Sequence, residues 1–407
     1  MRIAFLTVCL SPHQLPLATA LAARVGEDNF RYISNERVEG ERTRLGWGDK
    51  PRKWCMSRSD MRDEADAWCR EADVLYSYLR ELDIFDERAR RGLKTVYVSE
   101  RWFKPIALPV LDRMGVLVPG RVRMLHPGFR RMAARMRRLL DSDIPFWYFS
   151  MGVHAADDMS RLCGWGRPTF SRPEPGESFR KMRLWGYFVE KANQLCDACS
   201  DVERSPLRVL WVGRLLRLKR VDTIIRAVRA IVAERADGIV LDIYGTGPDE
   251  ERLRNCADGC SSVQFHPSVS IAEVRTIMRA HDVYVFSSNG LEGWGAVVNE
   301  ALEEGMHVLG THEAGGSATM LSDEDLFHAG DWRRLRALLE RCREQKERGE
   351  LKGQGIGAWS VDKGVERLMK FLDEEIGANG WKSSNRLPIL TLCRVDRRTP
   401  FREYVAG

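Results

Sequence analysis

The sequence predicts an α/β protein made of two doubly wound parallel sheets. At 407 residues and 46.6 kDa the chain exceeds what one hydrophobic core usually supports, so two domains are expected. Short apolar runs alternate with amphipathic helical patterns, which is typical of parallel sheets with crossover helices. This alternation restarts after a polar segment at 196–207, which places the boundary between the domains there.

The first domain, 1–200, contains five candidate strands. The helical patterns between them include 15–25 and 59–70. The strands are predicted at 3–8, 30–34, 74–78, 95–99 and 146–150.

The second domain, 207–360, repeats the alternation. Its strands are predicted at 208–212, 240–244, 263–265, 283–287 and 307–310, and its helices at 221–234, 248–256, 271–280 and from about Ala296. An amphipathic helix at 361–376, within a C-terminal segment 361–378, is expected to pack back on the first domain. The segment 379–407 is a polar, basic tail. In such sheets ligands bind at the carboxyl ends of the strands, here in a cleft between the domains.

Composition excludes several classes of protein. Apolar residues make up 44% and charged residues 30%, which is ordinary for a globular protein and unlike a disordered, collagen-like or coiled-coil chain. Apolar runs are too short for a membrane-spanning helix. The N-terminal apolar run is broken at Ser11 and Pro12 and lacks a cleavage site, so it is interpreted as a strand of a cytoplasmic protein.

The ten cysteines are scattered, as expected for reduced thiols in a large cytosolic chain. Two pairs, Cys196 with Cys199 and Cys256 with Cys260, offer an alternative as four zinc ligands. The 56 residues between the pairs and the lack of flanking histidines favour free thiols. No metal site is expected. Asp141 and Asp143 match the Asp-x-Asp of metal-dependent transferases, but they precede a strand and are interpreted as part of a turn.

Positive charge is concentrated in one segment. Residues 101–140 hold ten Lys or Arg and a single acidic residue, Asp112. Within the segment 120–140, Phe129, Met132, Met136 and Leu140 recur at helical spacing among arginines. Such a helix either lies on an anionic membrane surface or docks on the domain core with a solvated arginine face. Nucleic acid is not expected as a partner, because aromatic residues are not interleaved and no known module is present.

Three motifs in the second domain suggest a diphosphate site. Gly213 ends the first strand, and Arg214 and Lys219 follow it; two cations at a strand end suit a diphosphate, although surface lysines and arginines are common in this chain. Gly245 opens a tight Gly-Thr-Gly-Pro turn after the next strand. Without a third glycine this turn is weak support for a dinucleotide site.

The third motif has Gly293 and Gly295 on either side of Trp294, just before a helix that includes Glu300. Backbone N–H groups at a helix start bind anions. Glu292 lies just before that helix and Glu300 lies eight residues further on. At the helical rise the two stand about 12 Å apart, a separation that fits a nucleotide-sugar along the helix N-terminus. Two solvated glutamates would fit the same spacing.

Together with His312–Gly316, these motifs resemble the retaining glycosyltransferases of family four, which have the GT-B fold and a Glu-x7-Glu motif, here Glu292 and Glu300. The resemblance covers roughly 207–376. It implies that Arg214 and Lys219 bind the donor diphosphate, that Glu292 holds sugar hydroxyls and that Glu300 binds ribose. It also implies a backbone cradle of Gly293, Trp294, Gly295, Ala296 and Val297. Arg220 departs from the family, which often has glycine there.

The first domain resembles a bacterial subgroup of polysaccharide and surface-glycan transferases through 11–17, 41–49, 97–105 and 181–188. His13, Glu100 and Arg101 lie at predicted strand ends and are candidates for the acceptor side. The alternatives are a core or helix-start histidine and a surface carboxylate paired with Arg101.

The resemblance implies transfer of a hexosyl group from a nucleotide-diphosphate-sugar to a glycan or lipid-linked acceptor, with retention and without a cofactor or metal. The enzyme would be cytoplasmic, or peripheral on the inner face of the cell membrane. A nucleotide-sugar epimerase of the same fold and a non-catalytic binding protein are the alternatives.

Overall fold

The computed structural model describes residues 1–36, 52–108, 117–141, 143–164, 181–189, 206–235 and 238–376. The segment 41–49, the cysteine pair at 196 and 199, and the tail 379–407 lie outside these residues. The chain divides into two compact units. One consists of Met1–Phe188 with Ala358–Gly407, and the other of Val189–Gly357.

The first unit is built on a parallel sheet of seven strands in the order β3-β2-β1-β4-β5-β6-β7. Three of its strands, β1, β4 and β6, are buried along their whole length, as in sheets that are covered on both faces. The strands are β1 (Ile3–Thr7), β2 (Phe30–Ser34), β3 (Cys55–Ser57), β4 (Val74–Ser77), β5 (Lys94–Ser99), β6 (Phe146–Met151) and β7 (Met182–Trp185).

The helices of this unit include two that were not predicted, α3 and α5. Both have charged faces, so the spacing of their apolar residues did not distinguish them from loops. The helices are α1 (Leu15–Val25), α2 (Arg62–Glu71), α3 (Leu82–Arg90), α4 (Pro127–Asp141), α5 (Val153–Gly164) and, from the end of the chain, the helix Val361–Ile376. The edge strands β3 and β7 were missed as well: β3 has only three residues, and only the two end residues of β7 are buried.

The second unit has a parallel sheet of six strands in the order β10-β9-β8-β11-β12-β13. The strands are β8 (Leu207–Val212), β9 (Ile239–Tyr244), β10 (Val263–His266), β11 (Val283–Phe286), β12 (His307–Thr311) and β13 (Leu326–Phe327). The helices are α6 (Val221–Glu234), α7 (Glu250–Ala257), α8 (Ile271–Arg279), α9 (Val297–Glu303), α10 (Gly315–Met320) and α11 (Trp332–Glu347).

Three elements here were not predicted: α10, β13 and α11. Helix α11 buries Leu335, Leu338, Leu339 and Cys342, a spacing that is typical of an amphipathic helix. Pro248 was expected inside a helix, but α7 begins at Glu250 after the cap residue Asp249. Cys256 and Cys260 are free thiols that pack against the core.

Each sheet has one point where the strand order reverses, and ligands of doubly wound sheets bind there, outside the carboxyl ends of the strands. In the first unit this point lies between β1 and β4, and in the second between β8 and β11. Within the described sheet, β8 and β11 pair only through Val209 with Val283 and Leu210 with Tyr284, although each strand continues for two more residues. The two strands therefore separate toward the candidate site.

The C-terminal helix, named α12 (Val361–Ile376), packs within the first unit. Its Phe371 meets Trp147 and Phe149 edge-on at ring-centroid distances of 5.4 and 5.1 Å. A Cβ at Gly364 would come within 2.6 Å of the Phe188 ring, so glycine lets the helix approach closely. Among the described residues, no helix is both long and apolar enough to span a bilayer.

The apolar stripe of the basic helix α4 faces the protein core. Met136 and Leu140 are fully buried, and Phe129 and Met132 pack against the same cluster. The helix also begins at Pro127, two residues earlier than expected. Of the two interpretations of this segment, the structure shows the docked helix, since the stripe is not available to lipid.

Candidate active site

Two glycines bring the first two strand ends of the second unit into contact. A Cβ on Gly245 would lie 1.9 Å from the carbonyl oxygen of Gly213, and the N–H of Gly213 donates to the carbonyl of Tyr244 at 3.0 Å. Gly247 approaches the carbonyl of Leu215 in the same way, with a Cβ distance of 2.3 Å. The Gly-Thr-Gly turn is therefore required for packing against the loop that carries Arg214 and Lys219.

Lys219 is held by the loop that follows β11. It ends a short 3-10 helix, Arg217–Lys219. The Ser287 hydroxyl donates to the carbonyl of Lys219 at 2.6 Å, and the N–H of Asn289 donates to the carbonyl of Leu218 at 2.8 Å. These bonds fix the backbone of Lys219 at the point where the strand order reverses.

Lys219 forms an ion pair with Glu292, which joins two of the predicted site residues. The ammonium Nζ donates to Oε2 of Glu292, and the Ser288 hydroxyl donates to the same oxygen at 3.2 Å. The two side chains are only 20% and 19% exposed. Because both contacts use Oε2, the second carboxylate oxygen is available among the described residues to accept another donor.

Arg220 follows Lys219 in the left-handed backbone conformation, with φ 48° and ψ 40°. It is the one non-glycine residue with positive φ in the described part of the chain. Glycine enters this region at little cost, so the backbone here would also suit a glycine. In this protein the Arg220 guanidinium instead donates two bonds of 3.2 Å to Asp222, and this pairing anchors the turn.

The Gly-Trp-Gly segment is fixed from two sides. Gly295 has φ +85°, and a Cβ there would come within 2.3 Å of the Phe286 ring. The ring of Trp294 is buried and its Nε1 donates to Oδ1 of Asn299 at 2.6 Å. The N–H groups of Gly315 and Gly316 donate to the carbonyls of Gly293 and Trp294 at 2.9 and 2.7 Å.

The Trp294 ring is therefore a structural support, so any contact with a donor would come from its backbone. The two glycines expected in a turn, Gly315 and Gly316, instead begin helix α10, and their N–H groups dock this loop.

Glu292 precedes the helix that carries Glu300, so the rise of a helix does not give the separation of the two carboxylates. The segment 292–296 is irregular and α9 begins only at Val297, with Ala296 as its cap. Glu300 lies in the first turn of this seven-residue helix. Burial raises the pKa of Glu300 to about 7, and the charges of Glu303 and Glu304 add to the effect against the opposing charge of Arg275.

Arg214 is exposed at the end of β8, and none of the described residues forms an ion pair with it.

Tyr284, which sequence analysis missed, donates its hydroxyl to the carbonyl of Val212 at 3.3 Å. Burial, followed by the charge of Glu300, raises the pKa of this hydroxyl. The sequence feature that could have identified Tyr284 is its position on β11, the strand next to the point where the strand order reverses.

In the first unit, His13 and Glu100 lie near one side chain that sequence analysis also missed, Tyr187. The His13 and Tyr187 rings are 5.8 Å apart. Burial raises the pKa of the Tyr187 hydroxyl, and the charge of Glu100 is the next contribution. Glu100 pairs with Lys104 at 3.2 Å, not with Arg101. This cluster lies at the carboxyl edge of the sheet, since His13 and Glu100 come after β1 and β5.

Arg101 has a structural contact that was not expected. Its guanidinium lies 3.4 Å from the buried carboxylate of Asp158 on α5, which also accepts a hydrogen bond from the N–H of Phe103 at 2.8 Å.

Among the described residues, no group of three or more His, Cys, Asp or Glu side chains is placed to hold a metal ion. Asp141 is the last residue of α4, and Asp143 follows before β6.

The motif-bearing part of the chain matches a known family model. Residues 201–352 match the family described as glycosyl transferases group 1. This segment contains all the second-unit site residues described above.

A curated relative also matches part of the chain. It is the GtfA subunit of UDP-N-acetylglucosamine–peptide N-acetylglucosaminyltransferase from Streptococcus pneumoniae serotype 4, with 27% identity over 124 residues. The match covers 30% of this chain and 24% of the relative. The chain thus spans about a quarter of the length of this relative.

Solved structures match over nearly the whole chain. Anabaena HepE in complex with UDP has a TM-score of 0.62 at 14% identity and covers 92% of this chain and 100% of its own. The apo form of WaaB, a lipopolysaccharide outer core galactosyltransferase, has a TM-score of 0.60 at 13% identity, with coverage of 92% and 100%. The fold is GT-B, as the sequence predicted.

Proposed function

We propose that this protein is a retaining glycosyltransferase that moves a hexosyl group from a nucleotide-diphosphate-sugar to an acceptor hydroxyl. The pairing of Lys219 with Glu292 at the reversal point of the second sheet carries the proposal. It puts a cation suited to phosphate beside a carboxylate suited to sugar hydroxyls. The match of 201–352 to group 1 glycosyl transferases supports this assignment.

The donor diphosphate is assigned to Arg214 and Lys219. Arg214 is exposed and offers a forked set of donors, whereas Lys219 is fixed by its backbone and offers a point charge. When a diphosphate binds, the ammonium group of Lys219 donates hydrogen bonds to both the phosphate and Glu292. The free carboxylate oxygen of Glu292 then accepts a hydroxyl of the transferred sugar.

Glu300 is assigned to the ribose, whose hydroxyls would donate to its carboxylate. Helix α9 has only seven residues, so its dipole adds little, and the cradle for sugar and phosphate consists of the backbone at 293–297. Support comes from the hydrogen bonds and close glycine contacts that hold this segment rigid.

The reaction requires stabilisation of the charge that develops on the leaving diphosphate. Positively charged side chains that are already in place do this without reorganisation. We assign this role to Arg214 and Lys219 and propose that no metal is needed. The acceptor attacks from the face that the diphosphate leaves, and the departing phosphate takes the acceptor proton, so no protein nucleophile takes part.

The acceptor is assigned to the first unit, near His13, Glu100 and Tyr187. Tyr187 offers an aromatic ring and a hydroxyl, and saccharides use both kinds of contact. We propose a glycan or lipid-linked acceptor in surface polysaccharide or glycolipid synthesis, which would place the protein in the cytoplasm or on the inner face of the cell membrane. Structural similarity to WaaB supports this reaction class.

A donor-alone experiment separates the candidate activities. Proton NMR of a nucleotide-sugar with the protein, before and after a glycan acceptor is added, follows the anomeric signal. We expect the donor to persist alone and to give nucleotide diphosphate and a product with the same anomeric configuration once acceptor is present. Donor conversion to an epimer without acceptor would contradict the proposal, and an inverted product would refute retention.

Glu292→Gln tests whether the transfer uses the site described. It keeps the size of the side chain but removes the charge that pairs with Lys219, so transfer is expected to fall at least tenfold. Glu344→Gln, on an exposed face of α11, is the matched control. Equal activity of the two variants would refute the assignment.

A further inference from the structure

The arginines of helix α4 divide into a paired and an unpaired group. Arg135 bonds to Asp83 at 2.8 Å and to Asp86, and Arg138 bonds to Asp86 at 2.9 Å. These two therefore hold α4 against α3. Arg121, Arg130 and Arg131, at and before the start of α4, are exposed and form no ion pair within the described part of the chain.

An apolar tip lies between the unpaired arginines. Leu125 is 79% exposed, the highest value among the exposed large apolar side chains of the described residues. Val122, at 38% exposure, lies three residues earlier on the same 3-10 helix, Gly120–Leu125. A 3-10 helix has three residues per turn, so Val122 and Leu125 project from the same side.

This tip is held firmly by the first unit. A Cβ on Gly120 would lie 2.1 Å from the carbonyl oxygen of Phe103, and the Arg123 guanidinium donates to the carbonyl of Lys104 at 2.6 Å. Ile106 and Val118 form a two-way backbone bridge just before it. These contacts fix the backbone around Leu125, so its side chain is held in an exposed position by the fold of the first unit.

We propose that this surface, named the Leu125 tip and defined by Arg121, Val122, Leu125, Arg130 and Arg131, docks the protein on an anionic lipid bilayer. The arginines complement lipid headgroups, while Leu125 and Val122 enter the boundary between headgroups and acyl chains. This surface does not use the core-facing stripe of α4. It deepens the proposed function, since it would bring the enzyme to a lipid-linked acceptor, but its test requires no transfer.

A bilayer fits this surface better than a nucleic acid does. Proteins that bind single strands stack bases on exposed aromatic rings. Within the described residues the exposed large apolar side chains include no aromatic one. Phe129, the nearest aromatic residue in the chain, packs against the core, and Trp102 and Phe103 are buried. The tip therefore offers insertion and charge but no stacking platform.

Co-sedimentation of the full chain with lipid vesicles tests the proposal. Vesicles of phosphatidylcholine alone are compared with vesicles that contain an equal part of phosphatidylglycerol. We expect binding only to the anionic vesicles and weaker binding as salt rises. Removal of Arg130 and Arg131 together, as R130Q/R131Q, should weaken binding about 25-fold, at about fivefold per arginine near the surface. Leu125→Ser should weaken it about tenfold.

Matched controls separate the tip from net charge. R254Q/R348Q removes the same charge from exposed arginines of the second unit, and Met61→Ser removes another exposed apolar side chain. Both should bind as the wild type does. All these side chains are exposed, so unchanged thermal unfolding verifies folding.

Three outcomes would overturn the proposal: no binding to anionic vesicles, equal loss in the two double variants, or full binding by Leu125→Ser. Tight binding to an RNA of similar charge that Leu125→Ser leaves unchanged would assign the surface to nucleic acid instead. Donor binding, measured separately, reports whether the second-unit site is intact. Loss of vesicle binding is therefore distinguishable from failure of the transferase assignment.

Discussion

The buried carboxyl of Glu300 should make the stability of the protein depend on pH in a direction opposite to that of a paired carboxylate. Burial raises its pKa from 4.5 to about 7. An acid with a raised pKa binds more protons in the folded state than in the unfolded state, so the free energy of unfolding falls as pH rises through this interval. Below about pH 4.5 both states are protonated, and above about pH 7 the full cost is reached.

The magnitude follows from the two proton affinities. Each tenfold difference is worth about 1.4 kcal/mol, so ionising Glu300 costs the folded state about 3 kcal/mol. The side chain is partly exposed, and solvent screening reduces this to about 2 kcal/mol. Most of the loss falls between about pH 5 and about pH 8, because the unfolded carboxyl is already ionised over that range.

The assay is urea unfolding of the wild type and of Glu300→Gln across this range. The amide has no proton to lose, so the difference between the two stability curves isolates Glu300 from other titrating groups. The wild type should lose about 1.5 kcal/mol more than the variant on going from about pH 5 to about pH 8. Glu344→Gln, at an exposed site, should follow the wild type. Parallel curves for wild type and Glu300→Gln would refute the reasoning.

Three further predictions concern the loops and the acceptor side. Gly245→Ala should destabilise the protein by about 3 kcal/mol in urea unfolding, because its Cβ would meet the Gly213 carbonyl at 1.9 Å. The control Gly355→Ala, in open space, should cost under about 1 kcal/mol. Equal destabilisation by the two variants would contradict the role of Gly245 in packing. Trp294→Phe should cost about 1–3 kcal/mol in thermal unfolding, since Oδ1 of Asn299 loses its donor; an unchanged melting temperature would refute the support role. Tyr187→Ala should raise the acceptor KM about tenfold and leave the donor KM unchanged, and a change in the donor KM alone would remove Tyr187 from the acceptor site.

The sequence predicted the fold where apolar periodicity was strong. The strands at 30–34 and the helices at 15–25, 221–234 and 361–376 match the structure residue for residue. Strands β3 and β13 were missed because two or three residues are too few to show a period, whereas the four-residue strands β4, β10 and β11 were predicted. Helix α3 was missed because its charged residues conceal a buried Ile84 and Phe85.

The site was predictable in composition but not in geometry. Lys219 and Glu292 were both named from motifs, yet their pairing depends on a sequence separation of 73 residues that no local pattern reports. The rise of a helix was applied to 292–296, where close contacts of Gly295 with Phe286 enforce an irregular loop. Tyr187 was missed because its partners, His13 and Glu100, follow other strands.

The measurement that tests the central claim most directly is a thermal-shift panel with UDP, GDP, ADP and CMP on the wild type, Lys219→Ala and the charge-matched control Lys352→Ala. Ligand at about 100 times its Kd adds roughly 2.7 kcal/mol of stability. We expect a clear rise in Tm with one nucleoside diphosphate in the wild type and in Lys352→Ala, and a much smaller rise in Lys219→Ala. No rise with any nucleotide in folded protein, or an equal rise in all three proteins, would contradict a diphosphate site at Lys219.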